Sequence, residues 1–130
     1  MIQSQIKVNT EQNICGLIKM TIYALSTGSG ISGIAVIRVS GKEASFVIKS
    51  LTERELPQPR KATLLKINNI NTSDLIDEGV IIWFPGPESY TGEDMAEFHV
   101  HGSRAVINAM HSSISKIKNC RLAEPGEFTK

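Results

Sequence analysis

Charge of one sign is what this chain has least of: its 130 residues carry 14 Lys and Arg against 13 Asp and Glu, a net charge of +1. That balance exerts no general pull on nucleic acid, so any role toward RNA must rest on particular residues rather than on bulk field. Long hydrophobic runs are missing as well. The longest wholly apolar stretches are a few residues, far below the roughly 20 that a membrane-spanning helix needs. Cysteine is scarce. Cys15 and Cys120 lie far apart and show neither CxxC nor Cys/His spacing, which points to reduced, inert thiols of a cytosolic protein, with a single disulfide as the other reading. Residues 1–19 hold a short apolar patch from Ile14 to Ile18 but no small-residue cleavage site, so they read as a loosely attached extension and not as a secretory signal. What remains is ordinary: 41% apolar and 21% charged residues, enough for one domain around one core.

From Met20 onward the pattern becomes regular. Residues 21–26 read as a strand, 27–33 as a Gly/Ser loop, and the β-branched run 34–39 as a second strand. Ser40-Gly41-Lys42-Glu43 matches a capping box, and Ala44, Val47, Ile48 and Leu51 follow at helical spacing, which predicts a helix over 42–51. Pro57 and Pro59 mark a loop. Two strands are predicted over 61–67 and 78–84, joined by the polar turn 68–74, and Pro85-Gly86-Pro87 stops the second. Residues 95–101 alternate cleanly. A helix with Val106, Ala109, Met110, Ile114 and Ile117 on one stripe follows Gly102, and Cys120 to Ala123 reads as a last strand. The order β-β-α-β-β-β-α-β predicts an α+β domain, two helices on a mixed sheet.

Several motifs resemble chemical signatures. Gly28-Ser29-Gly30-Ile31-Ser32-Gly33 spells GxGxxG, but that fingerprint must open a helix for a pyrophosphate to meet the helix N-terminus, and here a strand pattern follows. It is read as a flexible turn, open at most to a ligand approaching the backbone. Gly41-Lys42 is not a P-loop, because Glu43 stands where Ser or Thr must ligate Mg²⁺ and Val36 where the leading glycine belongs. In 95–101, alternation sends Ala96, Phe98 and Val100 to a core face and Glu97, His99 and His101 to the other. A carboxylate beside two imidazoles suits Zn²⁺ or acid/base work, yet with three ligands on one strand and no fourth in sight the reading adopted is a solvated polar face without metal. Arg38 interrupts an apolar strand, either snorkelling to water or binding an anion. Tyr90 to Asp94 reads as a plain turn.

Four segments together resemble one family: Thr21-Ile22-Tyr23-Ala24 through Arg38-Val39-Ser40-Gly41, Trp83-Phe84-Pro85-Gly86-Pro87 through Tyr90-Thr91-Gly92-Glu93-Asp94, Glu97 through Gly102, and Ala123-Glu124-Pro125-Gly126-Glu127-Phe128-Thr129. Over 20–130 the chain resembles the N-terminal domain of the TrmE/MnmE tRNA-modification GTPases. The resemblance implies a cytoplasmic protein that modifies the wobble uridine of tRNAs at carbon 5 (5-carboxymethylaminomethyl-type) with a flavoprotein partner. It implies further that this domain dimerises and binds a reduced folate, 5-formyl- or methylene-tetrahydrofolate, as one-carbon donor, with a fold similar to the folate-binding domain of the glycine-cleavage T-protein. Two family folate contacts map to Arg38 and Glu97. A third, a lysine, maps beyond Lys130, as do the helical domain and the G domain that carries GTP, Mg²⁺ and K⁺, so no catalytic residue is expected within these residues. Ligand shape adds an expectation: Glu97 accepts the paired N–H groups of the pterin edge and Arg38 takes the tail carboxylates, with the exchanged roles, or Arg38 on the pterin, as the other readings. An assembly-only domain with a decayed pocket is the alternative. Two departures from the family are the extension before Met20 and the loose loop Thr27-Gly28-Ser29-Gly30 in place of a proline-rich one.

Overall fold

A computed structural model describes residues 19–26 and 33–129; the N-terminal extension, with Cys15, and most of the glycine loop lie outside the described residues. The elements are β1 (Thr21–Leu25), β2 (Ile34–Ser40), α1 (Ala44–Thr52), β3 (Thr63–Asn68), β4 (Leu75–Phe84), β5 (Met95–His101), α2 (Arg104–Ser115), β6 (Cys120–Leu122) and a short 3-10 turn over Glu127–Thr129. This is the predicted α+β order. The six strands form one mixed sheet, β3-β4-β5-β2-β1-β6. Neighbours are antiparallel except β1 and β6, which run parallel, with Thr21 opposite Cys120.

Both helices lie on one face, because their buried residues join a single cluster with alternate strand residues. Val47, Ile48 and Leu51 of α1 and Met110 and Ile114 of α2 pack with Tyr23, Ile37, Val39, Ile67, Ile81, Phe98 and Val100. Period two then dictates the other face. Register sets Ala24 beside Arg38, Arg38 beside Glu97, Glu97 beside Ile82, and Val36 and Val80 on either side of His99. Neither helix covers this second face.

Two expectations need correction. β4 begins at Leu75, directly after the polar turn and ahead of the predicted start at residue 78, and pairs that end with β3 through a register shift at Ile67/Asn68. The capping box does not form. Ser40 is still a strand residue, its hydroxyl turned to Thr91 and Glu93, and Glu43 is the α1 N-cap without a side-chain cap bond. The Glu43 N–H is met instead by Thr21 Oγ1 at 2.9 Å, a partner supplied by the neighbouring strand. Gly41 makes that approach possible. Its φ is 139°, and a Cβ there falls 2.5 Å from Thr21 Oγ1. Among the described residues no helix is long and apolar enough to cross a membrane.

Candidate functional site

The middle of this helix-free face carries an ion-paired cluster. Arg38 on β2 stands directly opposite Glu97 on β5, and its Nε donates to Glu97 Oε2 at 2.9 Å. The other carboxylate oxygen, Oε1, lies 3.0 Å from His99 Nε2. Glu97 is enclosed. Its cross-strand neighbours are Arg38 and Ile82, its own strand brings the buried Met95 and His99 to either side, and its side chain is 14% exposed. The Arg38 guanidinium carbon sits 5.6 Å from the centroid of the Tyr90 ring, in cation–π range of a side chain that is itself exposed.

These positions revise two sequence readings. The 97/99/101 face is not uniformly a solvated polar surface: Glu97 is sheltered and partnered by Arg38 of the neighbouring strand and His99 of its own, while His101 is exposed. Arg38 does not simply snorkel, since its Nε is fixed on Glu97. The two residues form one contiguous patch. Register across β2 and β5 decided that, and register is invisible in a single strand's pattern.

His101 leaves this cluster for a different partner. Its backbone N–H donates to Asp77 Oδ2 at 2.8 Å, and its Nδ1 lies 2.9 Å from Asp77 Oδ1. Burial alone raises the Asp77 carboxyl, but these bonds and the Glu78 N–H outweigh it and hold the group below its ordinary range. Among the described residues no group of three His, Cys, Asp or Glu side chains is placed to hold a metal ion. Cys120 is a free, buried thiol, pushed up to about 11 by burial first and by Glu43 second.

Beside the ion cluster the same face opens into a cavity of about 510 Å³, within the range of small-molecule sites. Ile22, Ser40 and Arg121 form its floor, and Tyr90, Thr91, Glu93 and Phe128 rise around it. The 85–94 segment is therefore more than the turn expected of it. Ser40 Oγ meets Thr91 Oγ1 at 2.8 Å, Gly41 N–H donates to Asp94 O at 2.9 Å, and Gly86 N–H donates to Asp94 Oδ1 at 2.9 Å, so the loop is tied down and Tyr90 held over Arg38. Cations and acids at the rim are paired: Lys19 with Glu93 at 2.8 Å, and Arg121 with Glu127 through a two-pronged contact. Sequence reading did not single out Ser40, Tyr90 or Arg121 as site residues. The one available signal was the dense polar run after Pro-Gly-Pro.

Comparison with known proteins matches residues 21–130 to the family model described as "GTP-binding protein TrmE N-terminus". The chain is 78% identical over 111 residues to a tRNA modification GTPase MnmE of Pelagibacter ubique (strain HTCC1062), covering 85% of this chain and 25% of that protein. It is 48% identical over 110 residues to a mitochondrial 5-taurinomethyluridine-tRNA synthase subunit of Danio rerio, covering 85% of this chain and 22% of that protein. A mitochondrial tRNA modification GTPase of Dictyostelium discoideum is 46% identical over 130 residues, covering 95% of this chain and 25% of that protein. The chain thus spans about a quarter of the length of the curated relatives it matches.

Proposed function

We propose, from the premise that this chain belongs to the family of TrmE N-terminal domains, that it is the reduced-folate-binding and self-associating part of a cytoplasmic tRNA-modification GTPase. The observation that carries the folate reading is the Arg38–Glu97 pair, half-sheltered in the middle of the helix-free sheet face beside a ligand-sized cavity.

The donor set fits the ligand. One edge of a reduced pterin offers an amino group and a ring N–H, both donors, followed by a carbonyl acceptor. Glu97 has one oxygen on Arg38 and the other on His99, but a carboxylate has about four lone-pair sites and so keeps acceptor capacity for both N–H groups. Arg38 is bound through Nε, and its terminal nitrogens suit the carbonyl beside those donors. Both residues therefore read the pterin edge, and the tail carboxylates need other partners. Bound folate supplies a one-carbon unit at the oxidation level set by its formyl or methylene group. The chain's own residues bind and orient it: Glu97 and Arg38 hold the edge, and Tyr90 shelters the guanidinium from water.

In the whole protein this domain serves modification of the wobble uridine at carbon 5 together with a flavoprotein partner. GTP hydrolysis, with its Mg²⁺ and K⁺, and the tRNA contacts belong to other segments. Calorimetric titration of the chain with 5-formyltetrahydrofolate tests the reading. Saturable one-to-one binding that is lost in Arg38→Gln supports it. No binding at high micromolar ligand by a chain extended past Lys130 to include the lysine contact, with the sheet intact by circular dichroism, leaves Arg38–Glu97 as a structural ion pair in an assembly domain.

A further inference from the structure

We propose that His99 is a positioning residue for the ligand site: it holds the Glu97 carboxylate in one plane so that its spare acceptors face off the sheet. The inference rests on the folate reading above and adds to it a residue that acts only through Glu97.

The geometry is a two-point hold. A glutamate side chain has three rotatable torsions, and a single contact on one oxygen lets the carboxylate pivot about that contact. Arg38 Nε fixes Oε2 at 2.9 Å and His99 Nε2 fixes Oε1 at 3.0 Å, one from across the sheet on β2 and the other from along β5. With both oxygens anchored, the plane is set and the remaining lone pairs share one outlook. His99 is itself confined. Its cross-strand neighbours on the open face are Val36 and Val80, and β4 approaches β5 so closely there that a Cβ on Gly79 lies 2.4 Å from the His99 carbonyl oxygen. Apolar flanks on both sides leave the imidazole the direction along its own strand, toward Glu97. The bond requires a proton on Nε2. A preorganised acceptor gives up less torsional freedom when a ligand arrives.

The test combines ligand titration with a measurement free of ligand. His99→Phe keeps an aromatic ring between the two valines but has no donor; His99→Gln carries an amide N–H at nearly the same reach. Thermal melts establish that each variant is folded. With 5-formyltetrahydrofolate as probe, His99→Phe is expected to bind roughly five- to tenfold more weakly than wild type, the effect of one mislaid hydrogen bond, and His99→Gln within about twofold of wild type. In a Glu97→Ala background the same His99 changes are expected to shift affinity by less than about twofold, because a positioning residue has nothing left to position. Nitrogen NMR of the free wild-type chain is expected to show the His99 ring protonated on Nε2. Equal affinity of His99→Phe and wild type, or a ring protonated only on Nδ1, overturns the inference while leaving the folate reading in place. Failure of wild type to bind the probe at all overturns the folate reading, and the positioning role with it.

Discussion

Glu97 illustrates how little of a side chain's work is set by its own identity. With 14% of its side chain exposed it is too sheltered to be an idle surface acid, and two donors offset the burial. Replacing it with alanine is expected to weaken reduced-folate binding by about 2–4 kcal/mol, since two charge-assisted bonds to the ligand vanish together. Stability is expected to fall by only about 1 kcal/mol, because Arg38 is 35% exposed and regains water when its partner leaves. Parallel calorimetry and urea denaturation separate the two effects, and a stability loss that accounts for all of the binding loss refutes the assignment. A second residue, His111, sits edge-on to Tyr23 with ring centroids 5.4 Å apart and its Nε2 buried without a partner among the described residues. Burial pulls its pKa below the ordinary 6.5. A depressed pKa means that its contribution to stability is complete above that ordinary value and is lost as pH falls toward the folded one. Urea midpoints measured between pH 7.5 and 5.5 are expected to drop less in His111→Phe than in wild type; identical slopes dismiss the idea.

At the scale of elements, the entry to α1 discriminates between sequence and structure. The capping-box reading makes Ser40 the stabilising residue, whereas the fold gives the helix's first N–H to Thr21 Oγ1 on β1. Thr21→Val, nearly isosteric at a site that is 1% exposed, is expected to cost about 1–2 kcal/mol by leaving the Glu43 N–H unpaired. Ser40→Ala is expected to cost less and to act on the 85–94 loop, whose Thr91 and Glu93 it binds. Chemical denaturation ranks the two, and a larger loss in Ser40→Ala reinstates the capping box. The β4–β5 contact provides another test. Gly79→Ala forces a methyl toward the His99 carbonyl and is expected to destabilise the chain by about 1–3 kcal/mol, an overpacking effect that also disturbs the ion cluster one pleat away.

For the whole molecule, the asymmetry of the sheet matters most. Both helices serve one face, and the other displays Leu64 and Ile34, each more than half exposed, around half-buried Val36, Val80 and Ile82. An antiparallel sheet usually presents polar side chains to water on its free face, so this composition favours a covered state. Concentration-dependent self-association is the expected outcome in sedimentation equilibrium, weakened by Leu64→Glu. A strict monomer at high micromolar concentration defeats the prediction for this chain. On β1, Tyr23 is core, 4% exposed, whereas Leu25 is 40% exposed.

Element order and type were legible in the sequence because period two and period 3.6 are local properties, written in Ile34 to Val39, in Met95 to His101 and in the stripe from Val106 to Ile117. The same alternation assigned Phe98 to the core and Glu97 away from it, and the motifs around Arg38 and Glu97 carried the family. Tertiary structure alone decided who meets whom. A one-residue shift of β2 against β5 separates Arg38 from Glu97, and no pattern within either strand specifies that register. Thr21 reaches the Glu43 N–H, and Asp77 reaches His101, across separations of 22 and 24 residues that local spacing does not encode. Side-chain direction is set by the backbone of a few residues; side-chain partners are set by which strands the packed core brings together.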